Sequence, residues 1–391
     1  MSGLEPLFRE EHEVYRDAAR RFVAKEIEPH AETWEAERDY PRELFTKVGA
    51  AGFFGAKFAE TWGGTGPDYV AEAVWIEEVS RSLTFGTASD LGAHSQLAAL
   101  YVDRFGSDDQ KERYLRPSIR GDRIGALAVT EPGAGSDVNA IATRARRDGD
   151  EWVINGSKVY ITNGSWADYV VVAARTSDDD GHRNITLFLV DSGTPGFTQS
   201  RMKMIAWQTS HTGELFFDDV RVADENRLGG VGEGFGHIMS NFQWERLIMS
   251  LSAVALAERS LETAIQYARE RSAFGRPVIK FQVWQHRFAD LAVRIRMGKA
   301  LTHRALRAHV AADAGDVDRD ELVRLTSMAK LFTQRMALQV ADECVQVHGG
   351  SGALKEYPAQ RLWRDARVGP IGGGTDDIMR EVIAGTLGLR S

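Results

Sequence analysis

Glu151-Trp-Val-Ile-Asn-Gly-Ser-Lys-Val-Tyr-Ile161 is the clearest strand signal in the chain. Its Val, Ile, Trp and Tyr are the side chains that pack well on a pleated, half-buried surface. Asn155-Gly156 in its middle predicts a tight hairpin turn, because both residues tolerate the backbone such turns need. Tyr169 to Ala174, Ile185 to Val190 and Glu214 to Val222 read as further strands. The connections are short and no helical stretch separates the strands. That pattern favours an antiparallel barrel or sandwich over a parallel sheet, in a β domain spanning residues 123–235.

On both sides of this region the apolar period changes from two to 3.6. Upstream, Val14, Tyr15, Ala18, Ala19, Phe22, Val23 and Ile27 fall on one helical stripe, and Pro41 opens a helix carrying Leu44, Phe45 and Val48. The loop Trp62 to Pro67 precedes another amphipathic stretch from Tyr69 to Leu83. Downstream, long helical segments run from Trp244 to Arg271, Phe281 to Ala312 and Glu321 to His348, with a last one from Asp376 to Leu387. Helices of that length side by side suggest a four-helix bundle. The expected order is an N-terminal α-helical domain (1–122), the β domain, and a C-terminal bundle (236–391), an α+β chain.

The charge balance excludes several partners. With 48 Lys and Arg against 56 Asp and Glu, the net charge is −8. Nucleic acid needs a basic face, and Thr143-Arg-Ala-Arg-Arg147 is too short to supply one; it reads as a solvated hairpin edge. The lone Cys344 rules out an intrachain disulfide and a zinc-thiolate site, and suits a small buried residue in a helix. No run approaches the ~18 apolar residues of a membrane span. Met1 to Glu10 is acidic and unlike a secretory signal, so a cytoplasmic protein is expected.

Three glycine-rich stretches could carry chemistry. Val129-Thr-Glu-Pro-Gly-Ala-Gly-Ser-Asp137 could let backbone amides and Ser136 approach a ligand, or be a plain turn capped by Ser136 or Asp137. Gly229-Gly-Val-Gly-Glu-Gly-Phe-Gly236 imitates a dinucleotide loop but lacks the βαβ setting, and reads as a domain connector. Gly369-Pro-Ile-Gly-Gly-Gly-Thr-Asp-Asp377 places Thr375 as an N-cap, with three glycines leaving open space lined by N–H groups. No catalytic triad, G-x-S-x-G elbow or HExxH site is present, and no metal is expected. His348, on an apolar helix, reads as a packed residue.

Taken together, the chain resembles the acyl-CoA dehydrogenases. The likeness rests on Thr130-Glu-Pro-Gly-Ala-Gly-Ser-Asp137, Gly156-Ser-Lys-Val-Tyr-Ile-Thr-Asn163, Glu270-Arg-Ser-Ala-Phe-Gly275, Gln346-Val-His-Gly-Gly350 and Gly373-Gly-Thr375. Each is weak alone, but the five stand in the family's order and spacing across nearly the whole chain. The resemblance implies one FAD per subunit, between the β domain and the bundle. Leu127, Val129, Thr130, Gly135, Ser136, Tyr160 and Thr162 would line the flavin, with Thr375 and Asp377 closing the near side. Arg271, Phe274, Gln282, Gln346 and Gly350 would reach the FAD of a neighbouring subunit in a homotetramer or dimer of dimers. An electron-transferring flavoprotein would receive the electrons.

The family's reaction removes an α-proton from an acyl-CoA thioester while the β-hydride moves to the flavin, leaving a trans-2-enoyl thioester. It needs a desolvated carboxylate near Cα and hydrogen-bond donors on the thioester oxygen. Most members carry Tyr-Glu-Gly-Thr before the last helix, and that Glu is the base. Here the loop is Gly372-Gly373-Gly374-Thr375, and Gly373 cannot serve. Either the protein only binds flavin or acyl-CoA, or the base comes from elsewhere. A branch resembling the long-chain and isovaleryl enzymes takes it from the first bundle helix in a Glu-Arg-Leu sequence. Gln243-Trp-Glu-Arg-Leu-Ile248 stands at that place, which makes Glu245 the candidate base. Gly373 keeps an oxyanion N–H, and Ser136, Arg246, Gly372 and Gly374 are candidate substrate contacts. Gly372 replaces a Tyr even of that branch, so a branched or bulky acyl group could enter, unless Trp207 or Trp244 fills the gap. An acyl group on a carrier protein is the alternative substrate.

Overall fold

The structure is a computed structural model that describes residues 7–177, 184–313 and 315–389. Of the N-terminal stretch Met1–Glu10, the first six residues lie outside these.

Helix α1 (Glu10–Glu26) packs on α2 (Tyr69–Val79). The inner face of α1 follows its apolar stripe except at Val14, which is 64% exposed, while His12 is buried. The cause is Asp68, which caps α2 by accepting from Val70 N and Ala71 N and also meets His12 Nε2 at 2.9 Å. Every residue of α2 is buried, Glu72, Glu77 and Glu78 included. Buried carboxylates persist only when paired. Glu77 takes Arg16 at 2.7 Å and His303 at 3.0 Å, and Lys57 faces Glu72 at 3.4 Å. The helix predicted after Pro41 forms over Glu43–Ala50, burying Leu44, Phe45 and Val48.

The β domain is one eight-stranded sheet of β1 (Gly125–Ala128), β2 (Arg144–Asp148), β3 (Glu151–Ile161), β4 (Tyr169–Arg175), β5 (Ile185–Asp191), β6 (Phe197–Arg201), β7 (Gly213–Ala223) and β8 (Arg227–Leu228). Its order is β6-β7-β3-β2-β4-β5-β8, with β1 on β4. The ladders are antiparallel except for β1 on β4 and the single β2–β4 pair. β5 also lies against β7, so the sheet curls on itself.

The hairpin expected at Asn155-Gly156 does not form. β3 runs straight through both residues, and the turn lies earlier, at Gly149-Asp150 between the paired Asp148 and Glu151. Gly156 instead marks a register shift opposite β7, where Asn155 exchanges two 2.9 Å hydrogen bonds with Asp219. A Cβ on Gly156 would stand 2.5 Å from Thr143 Oγ1, so close strand approach at a bulge explains the glycine.

One face of β4 and β5, with Val170, Val172, Phe188 and Val190, closes the β core. Val171, Ala173, Leu187 and Leu189 face the other way and join Trp244, Leu247 and Leu251 of the bundle in one core. The bundle comprises α3 (Gly234–Glu270), α4 (Gln282–Asp313), α5 (Arg319–His348), α6 (Pro358–Ala366) and α7 (Asp376–Thr386). α3 begins at Gly234, inside the glycine-rich stretch read as a connector. A Cβ on Gly234 would come within 2.9 Å of Ile185 O, so glycine lets the helix start against β5. α5 is central, touching α3, α4, α6 and α7. Cys344 and His348 are buried within it, and His348 Nδ1 lies 2.6 Å from Cys344 O. Among the described residues no helix is long and apolar enough to cross a membrane.

Candidate active site

The fixing of Glu245 starts one residue earlier. Trp244 is fully buried, and its indole N–H donates to Gln96 Oε1 at 2.9 Å. Gln96 in turn donates to Glu72, which faces Lys57. A buried polar chain from the N-terminal domain therefore sets the rotation of α3 at the candidate base. Glu245 itself is half-buried. Burial raises its carboxyl above the usual range, while the charges of Arg246 and Lys330 oppose the rise.

Opposite it stands the loop before α7. Thr375 caps that helix, its Oγ1 accepting from Ile378 N at 3.3 Å, and Asp376 N closes the loop on Pro370 O at 3.1 Å. Gly373 and Gly374 hold φ of +60° and +90°, a backbone that favours glycine. Gly373 N–H has no acceptor among the described residues and is free for a ligand oxygen. A Cβ built on Gly373 would lie 3.1 Å from Met249 Cγ and 3.8 Å from Glu245 Oε1. The carboxylate of α3 thus reaches the volume into which a side chain at 373 would project.

A Cβ on Gly372 would make only ordinary van der Waals contact, with Met249 Cε and Val368 O, both at 3.8 Å. No atom of Trp207 or Trp244 comes within 4 Å of the Cβ position at Gly372. Trp244 is held in the core, and Trp207 is held by Asp365, to which its backbone N donates at 2.7 Å. Arg246 is buried, its Nη1 reaching Gln243 Oε1 at 3.3 Å and Ser327 Oγ at 3.5 Å in the seam between α3 and α5. Two residues near the base escaped the sequence reading. Met249 is one; the other is Lys330, fully buried on α5, whose Nζ donates to Gly374 O. On long apolar-striped helices neither carries a local signal.

The flavin-side residues occupy the rim of the β domain. Gly135 and Ser136 are exposed, Leu127, Thr130 and Thr162 half-buried, and Val129 buried. Asp137 makes the cap there, accepting from Asn139 N at 3.1 Å. A Cβ on Gly133 or Gly135 would meet nothing within 4 Å, and Tyr160 stands 62% exposed at φ +60°. An open glycine rim beside a ring thrust outward fits a flat aromatic cofactor. Two motif residues prove structural: Lys158 Nζ meets Glu131 Oε1 at 2.7 Å and Val129 O at 2.9 Å, locking the glycine loop to β3. Asp377 is exposed and pairs with Arg380 at 2.8 Å, whereas its neighbour Asp376 is buried against Arg335.

Arg271, Phe274, Gln282, Gln346 and Gly350 are all exposed, Phe274 at 96% with φ +50°. Arg271 follows the last residue of α3. It lies 26 positions from Glu245, roughly 39 Å at about 1.5 Å per residue. At that distance Arg271 does not reach Glu245.

Family models agree with this geometry along the chain. The N-terminal, middle and C-terminal domains of the acyl-CoA dehydrogenases match residues 9–122, 126–220 and 232–388. The chain belongs to the acyl-CoA dehydrogenase family. It is 38% identical to the mitochondrial long-chain specific acyl-CoA dehydrogenase of Sus scrofa over 386 residues, 98% of this chain and 87% of that protein. The acyl-CoA dehydrogenase structure from Geobacillus kaustophilus is 37% identical with a TM-score of 0.91, covering 97% of this chain and 98% of that one. An FAD complex of PigA is 28% identical with a TM-score of 0.93, covering 99% and 100%. This acyl-CoA dehydrogenase uses FAD, and its fold and site residues suit an oxidoreductase acting on acyl-CoA.

Proposed function

We propose that this acyl-CoA dehydrogenase takes the substrate α-proton with Glu245 and holds the thioester oxygen on the Gly373 N–H. The observation that carries this is Glu245 Oε1 at 3.8 Å from the Cβ position of Gly373. A carboxylate arriving from α3 can work where the commoner base side chain would stand. Burial raises Glu245 toward the range in which a carboxylate both accepts and retains a proton. The unpartnered Gly373 amide offers its hydrogen bond where charge builds as the proton leaves. FAD, when bound, supplies the hydride acceptor; Thr130, Ser136, Tyr160, Thr162 and Thr375 are the residues to hold it. The lack of a side chain at Gly372, where even a Cβ would meet nothing closer than 3.8 Å, suits acyl groups with a branch or ring near the thioester.

Arg271, Phe274, Gln282, Gln346 and Gly350 are assigned to a neighbour's FAD, which their exposure and the distance of Arg271 from Glu245 favour. Val283, Val293 and Met297 of α4 are each more than half exposed, an apolar stripe suited to a further subunit contact in a homotetramer. An electron-transferring flavoprotein is the proposed acceptor, and the single buried cysteine suits a cytoplasmic setting.

The test is Glu245→Gln in the FAD-loaded protein, mixed anaerobically with straight, branched and aromatic acyl-CoAs. The variant is expected to stay yellow and lose flavin bleaching by 10³-fold or more, on the order of 4 kcal/mol at about 1.4 kcal/mol per decade. Bleaching within tenfold of the wild-type rate removes Glu245 from the role.

A further inference from the structure

Three lysines are buried among the described residues: Lys57, Lys158 and Lys330. Lys57 faces Glu72 at 3.4 Å and Lys158 faces Glu131 at 2.7 Å. Lys330 has no carboxylate within ion-pair distance among the described residues, only the carbonyl of Gly374. A desolvated ammonium costs several kcal/mol, and one carbonyl does not offset that. Its position shows what the charge serves. Gly374 O belongs to the Gly374–Thr375 peptide, two peptide units beyond the one that carries the Gly373 N–H, so the lysine pins the loop on the C-terminal side of the oxyanion amide. Its charge also acts on Glu245 across the α3–α5 seam.

We propose that Lys330 is a positioning residue of the dehydrogenation, fixing the Gly374–Thr375 peptide of the loop that carries the oxyanion amide and presenting a buried cation to Glu245. The inference rests on the assignment of Glu245 and Gly373 above. A fixed positive charge at this point does two things. It favours the ionised base before the proton is taken, and it favours the negative charge that then builds on the thioester oxygen. The groups facing Lys330 are Glu245 and Arg246 from α3, Asp376 at the start of α7, and Arg335 on its own helix. Arg335 is already engaged with Asp376. Burial pushes the ammonium down to about 8, against the pull of Asp376 and Glu245. Lys330 therefore loses its charge just above neutral pH, and flavin reduction should fall there.

The experiment compares FAD-loaded wild type, Lys330→Met, Lys330→Arg and Glu245→Gln. Anaerobic single-turnover reduction by butyryl-, octanoyl-, palmitoyl- and isovaleryl-CoA is followed from pH 5 to 10. Infrared difference titration of the Glu245 carboxyl, assigned by its loss in Glu245→Gln, gives a readout independent of turnover. Wild type should show an acid limb and a fall near pH 8. Lys330→Met should move the acid limb and the Glu245 titration upward by a unit or more, erase the fall near pH 8, and slow reduction at least tenfold. Lys330→Arg should keep the acid limb and push the alkaline fall beyond pH 10. An unmoved Glu245 titration in Lys330→Met overturns the proposal. If Lys330→Met does not load FAD, a wild-type profile without an alkaline fall overturns it instead. Failure of every thioester to bleach wild type, or normal bleaching of Glu245→Gln, overturns the base assignment itself.

Discussion

A side chain on Gly373 and the carboxylate of Glu245 compete for one volume, since the Cβ alone would stand 3.8 Å from Oε1. Moving the carboxylate back to the loop should therefore return some activity to a Glu245→Gln enzyme. Two costs limit the return. Residue 373 holds φ +60°, which costs a side-chain-bearing residue roughly 1–3 kcal/mol. Met249 Cγ, 3.1 Å from the new Cβ, must also give way, though an unbranched thioether moves more readily than a branched chain. Gly373→Glu added to Glu245→Gln is expected to bleach flavin at least tenfold faster than Glu245→Gln alone. Adding Met249→Ala should raise the rate further. If the triple variant is as slow as Glu245→Gln, the two positions do not share a proton-accepting site.

Elements hold this residue pair in place, and α2 does so through charge. Its Glu72 faces Lys57 and accepts from Gln96, which accepts from Trp244 beside the base. Lys57→Met leaves a carboxylate in the core without its cation, and breaking a buried pair costs about 3–5 kcal/mol. Lys57→Met/Glu72→Gln removes the charge from both sides and should recover most of that loss in urea melts. A double variant as unstable as the single would mean that packing, not charge, is what Lys57 contributes. The sequence displays α2 as a helix but hides its carboxylates, because their partners, Arg16, Lys57 and His303, come from other elements. The same limit applies to β3, where Gly156 imitates a turn until Thr143 and Asp219 are placed against it. Gly373 and Glu245 were legible together because one lacks what the other has. Lys330 and Met249 were not, since only the packing of α3, α5 and the loop brings them to the site. Long periodic helices announce their existence, not which of their polar residues face inward.

At the scale of the molecule, the loop 207–211 of the β domain is clamped to both helical domains by two buried carboxyls. Asp90 accepts from Tyr40 Oη at 2.9 Å, Ser210 Oγ at 2.5 Å and His211 N at 2.8 Å. Asp365 of α6 accepts from Trp207 N. Burial pushes each of them up to about 7. A raised acid contributes stability that is complete below its unfolded value, near 3.9, and is lost as pH rises through about 7. Buried histidines act in the opposite sense. Burial pushes His94 and His211 down to about 4, so their contribution is present above roughly 6.5 and is lost as pH falls through about 4. The two windows overlap, so the carboxyl and histidine contributions oppose each other between pH 4 and 7, each varying by a few kcal/mol at about 1.4 kcal/mol per unit. A difference measurement separates them. Asp90→Asn keeps the histidine contribution and removes one carboxyl, and with three donors converging on the site its amide group also costs stability at every pH. The gap between wild type and Asp90→Asn in urea unfolding should accordingly be widest near pH 4.5 and shrink by a few kcal/mol by pH 8. A gap that stays constant over that range means Asp90 does not change its protonation on folding, and the clamp is a neutral hydrogen-bonded joint with no part in the pH response.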